Sequence, residues 1–194
     1  MSALTVSQDP DQSWDDLVRF WEETKWPEGS KVEIIEGIIT VSPSPAFRHN
    51  VITERVQRRL YSVIPDDWGV FQTLAVAVPS RLGMFIPDLL VAPVGDCAET
   101  DTHIPAALAE LVVEVTSRSN ARHDRVSKPA AYATAGIPLY LLIDRWAPGG
   151  PTATLYGEPR GEVYRVLSAV KFGDPLKLPA PFDVTIDTGE FPVD

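Results

Sequence analysis

The chain has 194 residues, with 17 Lys and Arg against 27 Asp and Glu, which gives a formal net charge of −10. This length predicts one domain, and 44% hydrophobic with 23% charged residues excludes a wholly disordered chain. A single cysteine, Cys97, excludes an intrachain disulfide framework. No apolar run approaches the ~20 residues of a membrane span, so we expect a cytoplasmic protein that does not enter the membrane.

The acidic residues are concentrated at the two ends of the chain. Residues 1–36 have a net charge of −6 and residues 171–194 a net charge of −3. We expect residues 1–12 to be a flexible acidic leader and residues 13–194 to form a single domain. Because nucleic acid is itself negatively charged, a nucleic-acid activity requires a local basic surface in the middle of the chain.

Helices and strands can be predicted in chain order from hydrophobic periodicity. Ser13 has the pattern of a helix N-cap before an apolar-periodic segment that starts at Trp14. The segment Lys31–Ser42 predicts a hairpin that turns at Glu36-Gly37, and Ala46–Ile64 predicts an amphipathic helix.

The second half of the chain is predicted to be richer in strands. The pattern predicts strands at Val70–Val78, Met84–Val94 with an interruption at Pro87-Asp88, Leu111–Thr116 and Leu139–Ile143. It predicts a polar loop at Asp96–Ile104 and a helix at Ala121–Ala135 that begins or breaks near Pro129. It also predicts a hairpin at Ala153–Val166 and a last strand near Phe182–Ile186. We expect the first four strands to share one sheet with helix Ala46–Ile64 packed against it. The fold class is therefore α/β or mixed α+β.

Two carboxylates interrupt apolar strands in this pattern. Asp88 stands at the mouth of one strand and Glu114 lies among valines in another, with Asp124 and Lys128 on the next segment. A carboxylate between buried apolar residues is unfavourable unless it binds a cation or a hydrogen-bond network, and Mg²⁺ favours one or two carboxylates. The alternative is that Asp88 is a turn residue and Glu114 an edge residue.

The order and spacing of several short motifs resemble one known family. The motifs are Ile35-Glu36-Gly37, Ser44-Pro45 with His49, Pro87-Asp88, Glu114-Val115-Thr116-Ser117, Asp124-Arg125 with Lys128, Tyr132-Ala133 and Gly136-Ile137-Pro138 with Tyr140 and Asp144. Over about residues 14–187 the chain is similar to the Uma-two-type restriction endonucleases, a branch of the PD-(D/E)XK restriction-endonuclease-like superfamily.

The resemblance implies a mixed central sheet flanked by helices, with an additional N-terminal helix and hairpin. It implies a Mg²⁺ ion, replaceable by Mn²⁺, held by Asp88 and Glu114, and a homodimer. The superfamily lysine would stand at Thr116, two residues after Glu114. In this branch the catalytic lysine is instead implied to be Lys128.

Four further residues are candidates to line this site. The resemblance favours Glu36 and His49, although Glu36 is equally consistent with a hairpin turn and His49 with a satisfied core histidine. Asp124 is expected to pair with or orient Lys128, and Tyr132 to pack with its hydroxyl near the site.

Two groups of arginines provide the basic residues of the central region. Arg118, Arg122 and Arg125 precede Lys128, and Arg48, Arg55, Arg58 and Arg59 lie on the helix Ala46–Ile64. They predict either two solvated helix faces or a surface that tracks phosphates, with Arg118, Arg122 and Arg125 as the nucleic-acid-binding residues. No sequence-reading module is visible, so we expect little base specificity.

Three hypotheses follow for the function. The first is a Mg²⁺-dependent endonuclease that hydrolyses phosphodiester bonds in DNA. The alternatives are a non-catalytic binding or interaction module with a nuclease fold, which the acidic composition favours, and a phosphodiesterase for a small nucleotide.

Overall fold

The structure is a computed structural model that describes residues 13–97 and 102–193 and the backbone of residues 4–6. The helices are α1 (Trp14–Glu23), α2 (Phe47–Tyr61), α3 (Val94–Cys97) and α4 (Lys128–Thr134). The strands are β1 (Leu4–Val6), β2 (Lys31–Ile35), β3 (Ile38–Ser42), β4 (Trp68–Phe71), β5 (Ala75–Val78), β6 (Gly83–Phe85), β7 (Leu89–Pro93), β8 (His103–Pro105), β9 (Leu111–Val115), β10 (Leu139–Asp144), β11 (Thr152–Arg160), β12 (Val163–Lys171), β13 (Pro175–Lys177) and β14 (Thr185–Asp187). Within these ranges no helix has the length and apolar character needed to cross a membrane.

Two six-stranded sheets organise the molecule. The first has the order β1-β3-β2-β6-β5-β8 and the second the order β12-β11-β10-β9-β7-β4, while β13 and β14 form a separate pair. Both large sheets are mixed, because β5 is parallel to β8 and β9 is parallel to β10. The architecture confirms the expected mixed α/β fold class.

Helices cover the sheets, and one buried cluster joins them. Val76 of the first sheet and Val112 of the second belong to the same cluster, together with residues of α4. Leu17 of α1 packs on the first sheet, and Ile52 and Val56 of α2 pack on the second. The predicted packing of the second helix is therefore confirmed.

Two of the predicted strands are each divided between the two sheets. Of the segment Val70–Val78, β4 lies in the second sheet and β5 in the first, and Met84–Val94 is split in the same way into β6 and β7. The backbone turns at Thr73, whose φ is 63°, and Pro87 lacks the N–H that a continuing ladder requires. The prediction of one shared sheet is thus wrong for β5 and β6 and correct for β4, β7, β9 and β10.

The expected loop and leader also contain short strands. Strand β8 begins inside the predicted polar loop, ends one residue beyond it and pairs with β5, while residues 98–101 of that loop are outside the described part of the chain. In the predicted flexible leader, Leu4–Val6 pairs with β3 as an edge strand. The remaining residues of 1–12 are outside the described ranges.

The helix around Pro129 stays continuous because a π-helical turn precedes the proline. This turn, His123–Ser127, leads directly into α4, and the N–H of Lys128 bonds to the carbonyl of His123. In a regular helix the Lys128 amide would bond to the carbonyl of Asp124, which instead accepts the Tyr140 hydroxyl at 2.7 Å. The predicted break is therefore a change of helical pitch rather than an end.

Candidate active site

Four carboxylates and two lysines converge between the two sheets. The carboxylates belong to Glu33 of β2, Asp88 before β7, Glu114 of β9 and Asp124 of the π-helical turn; the lysines are Lys31 of β2 and Lys128 of α4. If all six groups are ionised, the cluster has a net charge of −2. We call this set the carboxylate–lysine cluster.

Asp88 is fixed where the ladder between β7 and β9 ends. Leu89 pairs with Val113, so the next partner for Val115 would be Pro87, and the carboxylate of Asp88 takes the Val115 amide instead, at 2.7 Å. The same oxygen, Oδ2, lies 2.9 Å from His49 Nε2. Oδ1 remains for Lys31, at 3.3 Å. Burial alone would raise the pKa of Asp88, but Lys31, His49 and the Val115 amide together hold it well below its usual value.

Glu114 lies in a strand that is buried along its whole length. Its Oε1 accepts hydrogen bonds from Lys128 Nζ and from the Tyr132 hydroxyl, each at 2.9 Å. Its Oε2 faces Lys31 Nζ at 3.7 Å. Burial raises the pKa of Glu114 to about 7, although the two lysines oppose the shift. The cluster therefore separates the pKa values of its two central carboxylates, a pattern typical of functional sites.

Lys128 is enclosed beneath the carboxylates. Its Nζ contacts Glu33 at 3.0 Å, Glu114 at 2.9 Å and Asp124 at 3.2 Å, and its side chain is 1% exposed. It contributes to neither cleft that borders the cluster. Lys128, the implied catalytic lysine, therefore does not line either cleft, because three carboxylates surround its ammonium group.

Two members of the cluster were missed by the sequence analysis. Lys31 lies against Asp88 and Glu114 and is 17% exposed. Glu33 accepts the Ile86 amide at 2.9 Å and pairs with Lys128. The missed signal for Glu33 is a carboxylate between the apolar residues of a strand, the same pattern that identified Glu114.

Of the four additional candidates, three are at the cluster and one is not. His49, Asp124 and Tyr132 contact its members directly. Glu36 does not line it: this residue occupies the hairpin turn with φ 53°, and its side chain is 59% exposed. The turn directs Glu36 to solvent, so the hairpin interpretation is the correct one.

The arginines predicted to bind nucleic acid have different environments. Arg118 is exposed and lines a cleft, and Arg122 is exposed outside it. Arg125 is held by Asp144 through two bonds of 2.7 and 2.9 Å and by the Trp146 carbonyl at 2.8 Å. Its guanidinium group is thus committed within the chain. On α2, Arg55, Arg58 and Arg59 are likewise engaged within the chain.

The cluster opens to solvent through a cleft of about 270 Å³. Lys31, His49, Asp88 and Glu114 form part of its wall. Over the described ranges, no three His, Cys, Asp or Glu side chains are arranged to ligate one metal ion. A cation here would have two carboxylate ligands at most, which is the number that Mg²⁺ commonly takes from a protein.

Comparison with known proteins gives a consistent result. The chain is similar to a solved structure from Anabaena variabilis ATCC 29413, described as a "putative nuclease belonging to DUF820", with a TM-score of 0.68 and 17% identity over 93% of this chain and 97% of that one. This similarity establishes the fold. No curated protein matches the sequence. The family model Uma2, described as "Putative restriction endonuclease", matches residues 20–189. The chain therefore belongs to the Uma2 family.

Proposed function

We propose that this protein is a Mg²⁺-dependent endonuclease that hydrolyses phosphodiester bonds in DNA with water as the nucleophile. The supporting observation is that Asp88 Oδ1 and Glu114 Oε2 both face the Lys31 ammonium group, at 3.3 and 3.7 Å, at the wall of the cleft. The ammonium group stands where a cation between the two carboxylates would be stabilised. With all six groups ionised, the net charge of −2 in the cluster also suits a divalent ion.

Asp88 and Glu114 are the residues that would hold Mg²⁺. When bound, the ion supplies a Lewis acid for a phosphate oxygen and lowers the pKa of a bound water. Lys31 then exchanges its carboxylate partners for the scissile phosphate, since it is the lysine that faces the cleft. We assign this substrate contact to Lys31 rather than to Lys128.

The remaining residues of the cluster orient these groups. His49 and the Val115 amide hold one oxygen of Asp88 and leave the other directed at the cleft. Lys128 and Tyr132 do the same for Glu114. Such fixed orientation is what a hydrolytic site requires, because the charge of the transition state must meet ligands already in position.

Cleavage of plasmid DNA, single-stranded DNA and RNA with Mg²⁺ or Mn²⁺, with a nucleotide substrate alongside, tests the proposal. Asp88→Asn should reduce cleavage by at least about 100-fold and weaken Mg²⁺ binding in calorimetry, while the circular dichroism spectrum stays unchanged. Asp183→Asn is the matched control, because Asp183 is an exposed carboxylate outside the cleft.

The other outcomes select the alternatives. Mg²⁺ and DNA binding without cleavage of any substrate supports a binding module. Cleavage of the nucleotide alone supports a small-substrate phosphodiesterase. Wild-type cleavage and Mg²⁺ affinity in Asp88→Asn contradict the assigned site.

The homodimer remains a prediction. Strand β12 is an edge of the second sheet with Val163 and Val166 exposed at 65% and 54%. An edge of this kind suits pairing with a second copy of the chain.

A further inference from the structure

Two clefts meet at the proposed active site. Each has a volume of about 270 Å³, and both are bordered by Lys31, Pro45, His49 and Asp88. One extends towards Trp146 and the other towards Gln72 and Thr73. The two clefts therefore adjoin at these four residues, on either side of the proposed site.

An aromatic ring with two arginines forms the far wall of the first cleft. The Arg118 guanidinium lies 4.2 Å from the centre of the Trp146 ring, and that of Arg145 lies 5.4 Å from it. All three residues line the cleft. Aromatic rings beside arginines are typical of sites where proteins stack the bases of single strands.

The turn that holds this ring is rigid. Asp144 Oδ1 accepts the Trp146 amide at 3.0 Å, and the Thr116 hydroxyl oxygen accepts the Arg145 amide at 3.0 Å. Arg125 bonds the Trp146 carbonyl from the other side. These bonds fix the backbone of Arg145 and Trp146 against Thr116, two residues beyond Glu114. A backbone held in this way loses little conformational freedom when the residue binds a ligand.

Charge and depth favour a single strand over a duplex. Duplex DNA has twice the charge per unit length of one strand, and this protein has a net charge of −10. The side chains of Asp88 and Glu114 are 7% and 1% exposed. An unpaired strand can bring its backbone to such recessed groups more readily than an intact duplex can.

We propose that Trp146, together with Arg118, forms a subsite that stacks an unpaired base of the strand to be cut. The substrates are therefore single-stranded DNA or duplexes with unpaired segments. This inference rests on the proposed nuclease function and specifies its substrate class. Trp146 and Arg118 act in binding, whereas Asp88 and Glu114 act in hydrolysis.

The test is fluorescence anisotropy with a fluorescein-labelled oligothymidine of about 12 nucleotides, measured in the Asp88→Asn background so that the probe stays intact. Trp146→Ala should weaken binding by about ten-fold or more. Arg118→Ala should weaken it to a smaller degree, and Trp146→Phe should retain most of the affinity. Arg19→Ala is the matched control, since it removes the same charge from an exposed position outside both clefts.

An oligonucleotide of the same length with abasic sites separates stacking from a structural effect. If Trp146 stacks a base, the Asp88→Asn protein should bind this abasic probe equally weakly with and without the additional Trp146→Ala substitution. The inference would be overturned if Trp146→Ala lowered the affinity for both probes equally, or if it left the binding of oligothymidine unchanged. A matching duplex probe should bind more weakly than the single strand, and tighter duplex binding would also overturn it. Base-dependent binding through Trp146 without metal-dependent cleavage would leave the subsite intact and refute only the nuclease function.

Discussion

The two lysines of the carboxylate–lysine cluster share partners but not surroundings. Both lie near Glu33 and Glu114, yet the Lys31 side chain is 17% exposed and that of Lys128 is 1% exposed. Lys128 has three close carboxylates and a side chain that is 1% exposed, so we expect its charge to stabilise the fold. Lys31 borders two clefts and can change partners. In this site, exposure therefore distinguishes the two lysines, and Lys31 is the one that we propose to contact the substrate.

The largest expected effect comes from removing the enclosed lysine. Lys128→Met leaves Glu33, Glu114 and Asp124 buried without their shared cation, which should lower the free energy of unfolding by about 3–5 kcal/mol. Thermal unfolding should shift down by roughly 10 °C in a chain of this length. Combining it with Glu33→Gln should recover part of the loss. A Lys128→Met protein as stable as the wild type, but inactive, would return the catalytic role to Lys128.

Substitution of Lys31, the lysine that borders the clefts, should affect cleavage more than stability. Lys31→Met should lower stability less than Lys128→Met does, because the Lys31 side chain is 17% exposed and that of Lys128 is 1% exposed. Cleavage of single-stranded DNA should fall by about 100-fold, equivalent to ~2.7 kcal/mol. Initial cleavage rates together with thermal melts provide the comparison. Wild-type rates in Lys31→Met would show that the exposed lysine does not contact substrate.

The raised pKa of Glu114 predicts a dependence of stability on pH in the metal-free protein. A carboxyl group whose pKa is about 7 when folded and near 4.3 when unfolded binds more protons in the folded state between these values. Its contribution to stability is therefore complete below the unfolded pKa and is lost as the pH rises towards 7. Glu114→Gln removes this dependence. As the pH rises through this window, the free energy of unfolding of the variant should therefore increase relative to that of the wild type by at most about 1.4 kcal/mol per pH unit. Denaturant unfolding at several pH values measures the difference in free energy of unfolding between the variant and the wild type. A difference that does not change with pH would exclude the raised pKa of Glu114.

The smallest effect is expected at Glu36. Glu36→Gly relieves a positive φ of 53° at the hairpin turn, so stability should change by no more than about 1 kcal/mol. Cleavage should be unchanged, because the side chain faces solvent away from the cluster. A strong loss of activity would place Glu36 back in the site.

The sequence was most informative where a single element decides the outcome. Glu114 stood out because a carboxylate among valines is unfavourable, and Asp88 because it follows a proline at a strand start. The helix Ala46–Ile64 was predictable from its own periodicity. These signals are local, so they can be recognised without knowledge of the tertiary structure.

The remaining features depend on how distant elements meet. Strands β4 and β5 read as one apolar segment, and only the tertiary structure shows that they belong to different sheets. Lys31 was not identified as a site residue, since Asp88 lies 57 positions away in the sequence. Trp146 was not identified either, because its place beside the cleft depends on contacts with Asp144 that no spacing rule predicts.

The π-helical turn at His123–Ser127 has a consequence for how the length of this segment can vary. Such a turn contains one residue more than the α-helix it interrupts. Deleting one residue between Asp124 and Lys128 would return the turn to regular α-helix, because the Lys128 amide would still reach the His123 carbonyl, then four positions before it. Asp124 and Lys128, then three positions apart, would still share one face of the helix. A gap of one position, which turns one flank of a regular helix by roughly 100° relative to the other, should therefore be better tolerated here, beside the proposed active site.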